Sequence, residues 1–145
     1  MVAWNAQALM RNITNDRELL GAAFTAGLLH DIGKLLLAVN YPIEYRNCHD
    51  KGKEVARLGI DHTELGAHFL KTRKLPETVV EAIKSHDDLT ATGEDQLTLA
   101  DSLFIANLQE HARSGTKPSA GKLSKQVSIL GKRVGIKRLV DFGLA

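Results

Sequence analysis

The chain has 145 residues, 43% of them hydrophobic and 25% charged, which predicts one domain with its own core and excludes global disorder. A single cysteine, Cys48, excludes an internal disulfide and is typical of a reducing compartment. The first ten residues lack the basic start and apolar core of a signal peptide, and no apolar run approaches the roughly 20 residues of a membrane span. We therefore expect a soluble, cytoplasmic protein.

The spacing of apolar residues is helical throughout, and alternation typical of strands is nearly absent. The first predicted helices cover about residues 3–13, 17–31, 34–39 and 43–58, with Gly33 interrupting the apolar run and Pro42 ending it. Later helices are predicted in "DHTELGAHFL", "KLPETVVEAIKSH" and "QLTLADSLFIANLQEHA". The prediction is an all-α, compact single-domain bundle of about six to eight helices over residues 1–145.

The net charge of +2 hides a basic C-terminal region, in which helices are predicted within residues 117–142. No Asp or Glu occurs between His111 and Val140, whereas this stretch holds Lys117, Lys122, Lys125, Lys132, Arg133, Lys137 and Arg138. A solvated helix face is the ordinary explanation, and a weak nucleic-acid surface is the alternative. Because no aromatic residue interrupts these charges before Phe142, stacking on bases is not supported, and we expect no nucleic-acid partner.

Several ionisable residues fall on the apolar faces of different predicted helices. Asp101 lies four residues after Leu97 and three before Phe104, and His86 lies three residues after Ile83. The full set is His30, Asp31, His62, His86 and Asp101. A single buried histidine is ordinarily a core residue whose ring nitrogens are hydrogen-bonded. Inward-facing residues on several different helices can hydrogen-bond to one another only if their side chains meet at one place in the core. Convergence of imidazoles and carboxylates is also what a divalent metal requires.

The stretch "LLHDIGK", followed later by "LADSL", resembles the HD superfamily of metal-dependent phosphohydrolases. The longer pattern "AFTAGLLHDIGKLLL", "LGIDHTELGAHFL" and "LPETVVEAIKSH" resembles the HDOD subgroup more closely, over about residues 22–101. This resemblance implies a helical HD-type fold and a signalling or regulatory module of bacteria without an established reaction. It also implies that the chain holds only the HD-like half of a complete HDOD region.

The resemblance implies a role for each inward residue. By motif, His30 and Asp31 fall on the HD ligand pair, and Asp101 falls on the closing aspartate. His62 and His86 fall on the two histidines that two-metal members add. The implied cofactor is a divalent metal, namely iron, manganese, magnesium or zinc, with no metal at all as the other outcome.

The sequence departs from the enzymes in three places. No histidine precedes His30, although HD enzymes supply a first ligand from the helix before the HD pair, and the "GYP" signature is absent. Asp87 stands where two-metal members often have another histidine, and a carboxylate could substitute as a ligand. Lys34, one turn beyond His30, either faces a phosphate or extends along the helix edge into solvent.

Three functions stay open at this point. The first is an HDOD-like regulatory module with a degenerate metal site and no hydrolase activity. The alternative is a metal-dependent phosphohydrolase acting on a nucleotide or phosphodiester, and the third is a nucleic-acid-binding protein. If helices that normally cover the HD-like half are missing, an apolar surface is left over. We therefore expect a homodimer or a protein partner, and no membrane association.

Overall fold

The computed structural model describes residues 1–48, 50–88 and 97–115, and these form seven helices and no strands. The helices are α1 Val2–Arg11, α2 Arg17–Leu29, α3 Ile32–Asn40, α4 Lys51–Leu58, α5 His62–Thr72, α6 Glu77–Lys84 and α7 Leu99–Arg113. The predicted all-α fold is confirmed for this part of the chain. The predicted loop at 91–95 and the predicted basic helices within 117–142 lie outside the described residues.

The core lies where α1, α2 and α6 pack around α7, while α5 joins α3 to α6. Leu103 and Ile105 of α7 and Ile83 of α6 are fully buried in it. Helices α1 and α2 approach closely because Gly27 has no side chain, and a Cβ there would collide with the backbone of Ala3. This packing fixes the C-terminal end of α2, where the HD pair begins.

The break in the apolar run differs from the prediction. Helix α2 ends at Leu29 and α3 begins at Ile32, so the chain turns at the HD pair rather than at Gly33. Gly33 lies in the first turn of α3, where a Cβ would overlap the backbone carbonyl of His62. The glycine therefore permits close contact between α3 and α5 instead of breaking a helix.

The predicted helix over 43–58 is wrong in its first half. Most residues from Pro42 to Asn47 form turns, and α4 begins only at Lys51. Asp50 caps this helix by accepting a hydrogen bond from the backbone N–H of Lys53 at 2.8 Å. Gly59, with φ of +76°, ends it in the left-handed conformation that favours glycine.

One stretch, Arg17–Asn40, is long and apolar enough to cross a membrane by length and composition alone, which corrects the expectation that no run approaches that length. The core helices of soluble proteins satisfy the same criterion. Here the stretch is divided by the HD pair into α2 and α3. Helix α2 packs against α1, α6 and α7, and α3 packs against α5.

The described part of the chain exposes several large apolar side chains at the end of α2, along α3 and in the turns that follow. These are Leu28, Leu35, Val39, Tyr41 and Ile43, each about half or more exposed. An exposed apolar surface was the basis for expecting a homodimer or a partner chain. That expectation stays a prediction.

Candidate metal centre

Three junctions of the fold bring histidines and aspartates together. His30 and Asp31 connect α2 to α3, His62 is the first residue of α5, and His86 and Asp87 follow the end of α6. His86 Nε2 lies 3.4 Å from Asp31 Oδ1 and 3.5 Å from Asp87 Oδ1. His62 Nε2 lies 3.1 Å from Asp87 Oδ2 and 3.9 Å from Asp31 Oδ1. We call these five residues the His/Asp cluster.

In each histidine of the cluster, Nδ1 lies within hydrogen-bond distance of an acceptor oxygen. Nδ1 of His30 contacts the carbonyl of Gly27 at 2.8 Å, and Nδ1 of His86 contacts the carbonyl of Ile83 at 2.6 Å. For His62 the partner of Nδ1 is the carboxylate oxygen Oε2 of Glu54 at 2.8 Å. Because each partner only accepts, each Nδ1 donates, and every Nε2 is left to face the cluster. This is the arrangement of histidines that ligate metals in proteins.

Three buried atoms of the cluster make no hydrogen bond: Asp31 Oδ1, His62 Nε2 and His86 Nε2. Asp31 Oδ1 and His62 Nε2 have only ion-pair contacts, to Lys34 Nζ at 2.9 Å and to Asp87 Oδ2 at 3.1 Å. The three atoms face one another, and burying such atoms without a hydrogen bond is costly. A cation among them would satisfy all three. The residues therefore fit a divalent metal, and three imidazoles with two carboxylates suit iron, manganese or zinc.

The cluster divides into two overlapping groups. One consists of His30, Asp31 and His86, and the other of His62, His86 and Asp87. Within each group the ligand atoms lie within 4.8 Å of one another. His86, which is fully buried, belongs to both groups. The geometry therefore permits two alternative metal positions, which compete for the one free ring nitrogen of His86.

Charge interactions inside the cluster shift its pKa values. Burial opposes ionisation of Asp31, but the neighbouring side chains of His30, His86 and Lys34 outweigh it and hold the pKa of Asp31 well below its usual range. Burial likewise opposes ionisation of Asp87, whose pKa is held low by His62 and His86. For His62, burial disfavours the protonated ring, but the carboxylates of Asp87 and Glu54 outweigh burial and raise the pKa of His62 above 6.5. The carboxylates are thus ionised and ready to ligate a cation.

Asp101, the predicted closing ligand, lies in neither group of the cluster. It is fully buried at the start of α7, where its Oδ2 accepts a hydrogen bond from the backbone N–H of Thr98 at 2.9 Å. Thr98 Oγ1 in turn accepts from the backbone N–H of Asp101 at 3.2 Å. This reciprocal capping box begins α7 and engages one oxygen of the Asp101 carboxylate.

Lys34, predicted to face either a phosphate or solvent, instead contacts the HD pair. Its Nζ donates to Asp31 Oδ2 at 3.0 Å and lies 2.9 Å from Oδ1. Asp87, predicted as a substitute ligand, is brought into the cluster, where Asn107 Nδ2 donates to its Oδ1 at 3.1 Å. Of the predicted site residues, the structure brings His30, Asp31, His62, His86 and Asp87 into one cluster, with Lys34 bound to Asp31.

Glu54, whose Oε2 accepts the hydrogen bond from Nδ1 of His62, was not predicted as a site residue from the sequence. Its side chain is only 2% exposed. The sole signal in the sequence is weak: Leu58, four residues later, shares a helical face with it. No pattern indicates that a glutamate on so polar a helix is buried.

The family model described as "HDOD domain" matches residues 1–89 of this chain. The chain belongs to the HDOD domain family. The match includes the whole His/Asp cluster and Glu54, whereas Asp101 lies beyond it. The match begins at the first residue and ends before α7, so the matched region includes α1 to α6.

A relative of this HDOD chain is an uncharacterized protein of Treponema pallidum (strain Nichols), 25% identical over 114 residues. The alignment covers 72% of this chain and 22% of the relative, so the chain spans about a fifth of the relative's length. No solved structure matches the chain.

Proposed function

We propose that this HDOD chain is a regulatory module of a bacterial signalling protein, with a degenerate metal site and no hydrolase activity. The observation that carries the proposal is the position of Lys34, whose ammonium contacts both carboxylate oxygens of Asp31. One of these, Oδ1, is the oxygen that faces the cluster. A protein cation therefore already neutralises the carboxylate on which metal chemistry at the HD pair would depend.

A divalent metal, when bound, polarises phosphate oxygens and lowers the pKa of bound water. His30, Asp31, His62, His86 and Asp87 are the residues that would hold it. Efficient hydrolysis also needs carboxylate oxygens free to engage the metals, and Lys34 competes for those of Asp31. In the proposed module the cluster holds α3, α5 and the end of α6 together. The module then exerts its regulatory effect by binding another protein chain.

A metal-dependent phosphohydrolase is the second candidate. It is favoured by the three buried atoms without hydrogen-bond partners and by the two groups that share His86. In that case Asp87 replaces the histidine that two-metal enzymes often have, and Lys34 moves from Asp31 to a substrate phosphate. The two candidates differ in turnover, not in fold.

The deciding experiment measures metal content and turnover on the same preparation. Protein purified without added metal is analysed for iron, manganese and zinc, reloaded with Mn²⁺, and assayed with bis(p-nitrophenyl) phosphate and with nucleotides. Asp31→Ala is the control for the cluster. We expect the turnover of the wild-type chain to be indistinguishable from that of Asp31→Ala. Wild-type turnover that Asp31→Ala abolishes would overturn the proposal and favour the hydrolase.

A further inference from the structure

Helix α4 buries a single side chain, and that side chain is the carboxylate of Glu54. Its neighbours on the same face, Lys51 and Leu58, are only half-buried. Lys51 adds ion pairs to Asp61 at 3.7 Å and to Asp88 at 3.2 Å. A helix that buries so little apolar surface gains little from the hydrophobic effect. Its attachment to the bundle therefore depends on polar contacts, of which Glu54 makes the most deeply buried.

Glu54 binds His62 twice through one oxygen. Oε2 accepts hydrogen bonds from the backbone N–H and from Nδ1 of His62, each at 2.8 Å. The hydroxyl of Tyr45 lies 3.5 Å from the other oxygen. The backbone contact fixes the position of the first residue of α5, and the ring contact fixes the plane and tautomer of its imidazole. Nε2 is thereby left to face Asp87 and Asp31.

We propose that Glu54 is a positioning residue of the metal centre and that it couples occupancy of the centre to the attachment of α4. This inference rests on the metal-binding part of the proposed function. A carboxylate on the far nitrogen of a ligating histidine orients the ring and increases its basicity, and losing it typically costs about 10–100-fold in metal affinity.

The coupling must act in both directions. If the contact between Glu54 and His62 strengthens metal binding, a bound metal strengthens that contact by the same factor, because linked binding free energies are reciprocal. A cation at Nε2 makes the Nδ1–H group a stronger donor to the carboxylate. Since Glu54 is the buried anchor of α4, the metal should reduce local opening of α4 more than opening of α1, which lies outside the cluster.

The first test is calorimetric titration of the whole chain with Mn²⁺, and in parallel with Zn²⁺. Glu54→Gln keeps the shape and an oxygen acceptor but removes the charge, and we expect it to weaken binding by about 10–100-fold. Glu64→Gln is the matched control, since Glu64 is an exposed residue of the same helix as His62. We expect its affinity to stay within about twofold of wild type.

The second test is hydrogen exchange of the wild-type chain with and without metal, which needs no variant to fold. We expect metal to slow exchange in α4 and to leave α1 nearly unchanged. A purely structural role for Glu54 would leave α4 exchange independent of metal, and that result would overturn the inference. So would a folded Glu54→Gln variant that binds as tightly as wild type, or a wild-type chain that binds neither metal. Detection of hydrolysis would refute the absence of hydrolase activity while leaving the role of Glu54 intact.

Discussion

Lys34 and Asp31 form an ion pair within one turn of α3, with Nζ 2.9 Å from Oδ1 and 3.0 Å from Oδ2. Both side chains are more than a third exposed, so solvent screens the pair and its contribution to stability is small. The ion pair matters because one of its atoms, Asp31 Oδ1, is also part of the His/Asp cluster. Oδ1 also faces His86 Nε2 at 3.4 Å, which places the ammonium beside the proposed metal position.

Replacing Lys34 by methionine should therefore strengthen metal binding. For a unit charge and a divalent cation about 5 Å apart at the dielectric constant of water, the repulsion removed is about 1.7 kcal/mol, which corresponds to roughly 15-fold in affinity. Calorimetric titration with Mn²⁺ measures the change. Lys53→Met is the control, because it removes another lysine paired with an aspartate three residues earlier, at 3.8 Å and outside the cluster. An affinity of Lys34→Met below that of wild type would contradict the competition between Lys34 and the metal.

His86 belongs to both groups of the cluster, whereas His30 and His62 each belong to one. His86→Gln should therefore abolish metal binding, while His30→Gln and His62→Gln should each retain part of it. Elemental analysis after reloading with Mn²⁺ and dialysis gives the stoichiometry, and circular dichroism shows whether each variant is folded. Equal stoichiometry in all three variants would contradict a shared imidazole.

The inward-facing positions that the sequence predicted correctly share a physical origin. Helical periodicity reports which positions face inward, and it singled out His62 and His86 because apolar residues surround them at spacings of three and four. It also identified α5, α6 and α7, whose apolar faces form much of the core. Periodicity does not report which inward residues lie close together. The prediction that they form one site came from the family resemblance.

The features that were missed depend on packing contacts and hydrogen bonds that the spacing of apolar residues does not indicate. Glu54 is buried because α4 packs its carboxylate on His62, which no local pattern indicates. Gly33 resembled a helix breaker, but its role is to admit the backbone carbonyl of His62. Asp101 has the spacing of an inward residue and is fully buried, and the sequence did not indicate that it also caps α7 with Thr98. In each case a tertiary contact or an alternative hydrogen bond decided the outcome.

Gly33→Ala should disrupt the junction of α3 and α5. The new Cβ would overlap the backbone carbonyl of His62, so the two helices must separate, at a cost of about 1–3 kcal/mol in the free energy of unfolding. Gly21→Ala is the control, since a Cβ there meets nothing within 4 Å and alanine favours a helix by roughly 0.5–1 kcal/mol over glycine. Urea denaturation should move in opposite directions for the two variants. A Gly33→Ala protein as stable as wild type would contradict the close packing.

The raised pKa of His62 predicts how stability depends on pH in the metal-free protein. Although burial opposes protonation, Asp87 and Glu54 make the folded chain hold this proton more tightly than the unfolded chain, whose histidine titrates near 6.5. The stabilisation is thus fully present below pH 6.5 and is lost as the pH rises through the higher pKa of the folded state. Asp31 and Asp87 stay ionised in that range and contribute no change.

His111 acts in the opposite sense, because burial lowers its pKa and makes the folded chain less stable at low pH. The contribution of His62 is therefore isolated by comparing wild type with His62→Gln, in which His111 is unchanged. Urea denaturation between pH 5.5 and pH 9, roughly the range over which histidines titrate, is performed with a chelator present. The stability advantage of wild type over His62→Gln should shrink as the pH rises. An advantage independent of pH would mean that His62 does not bind its proton more tightly in the folded chain, and that Asp87 and Glu54 do not act on it as charges.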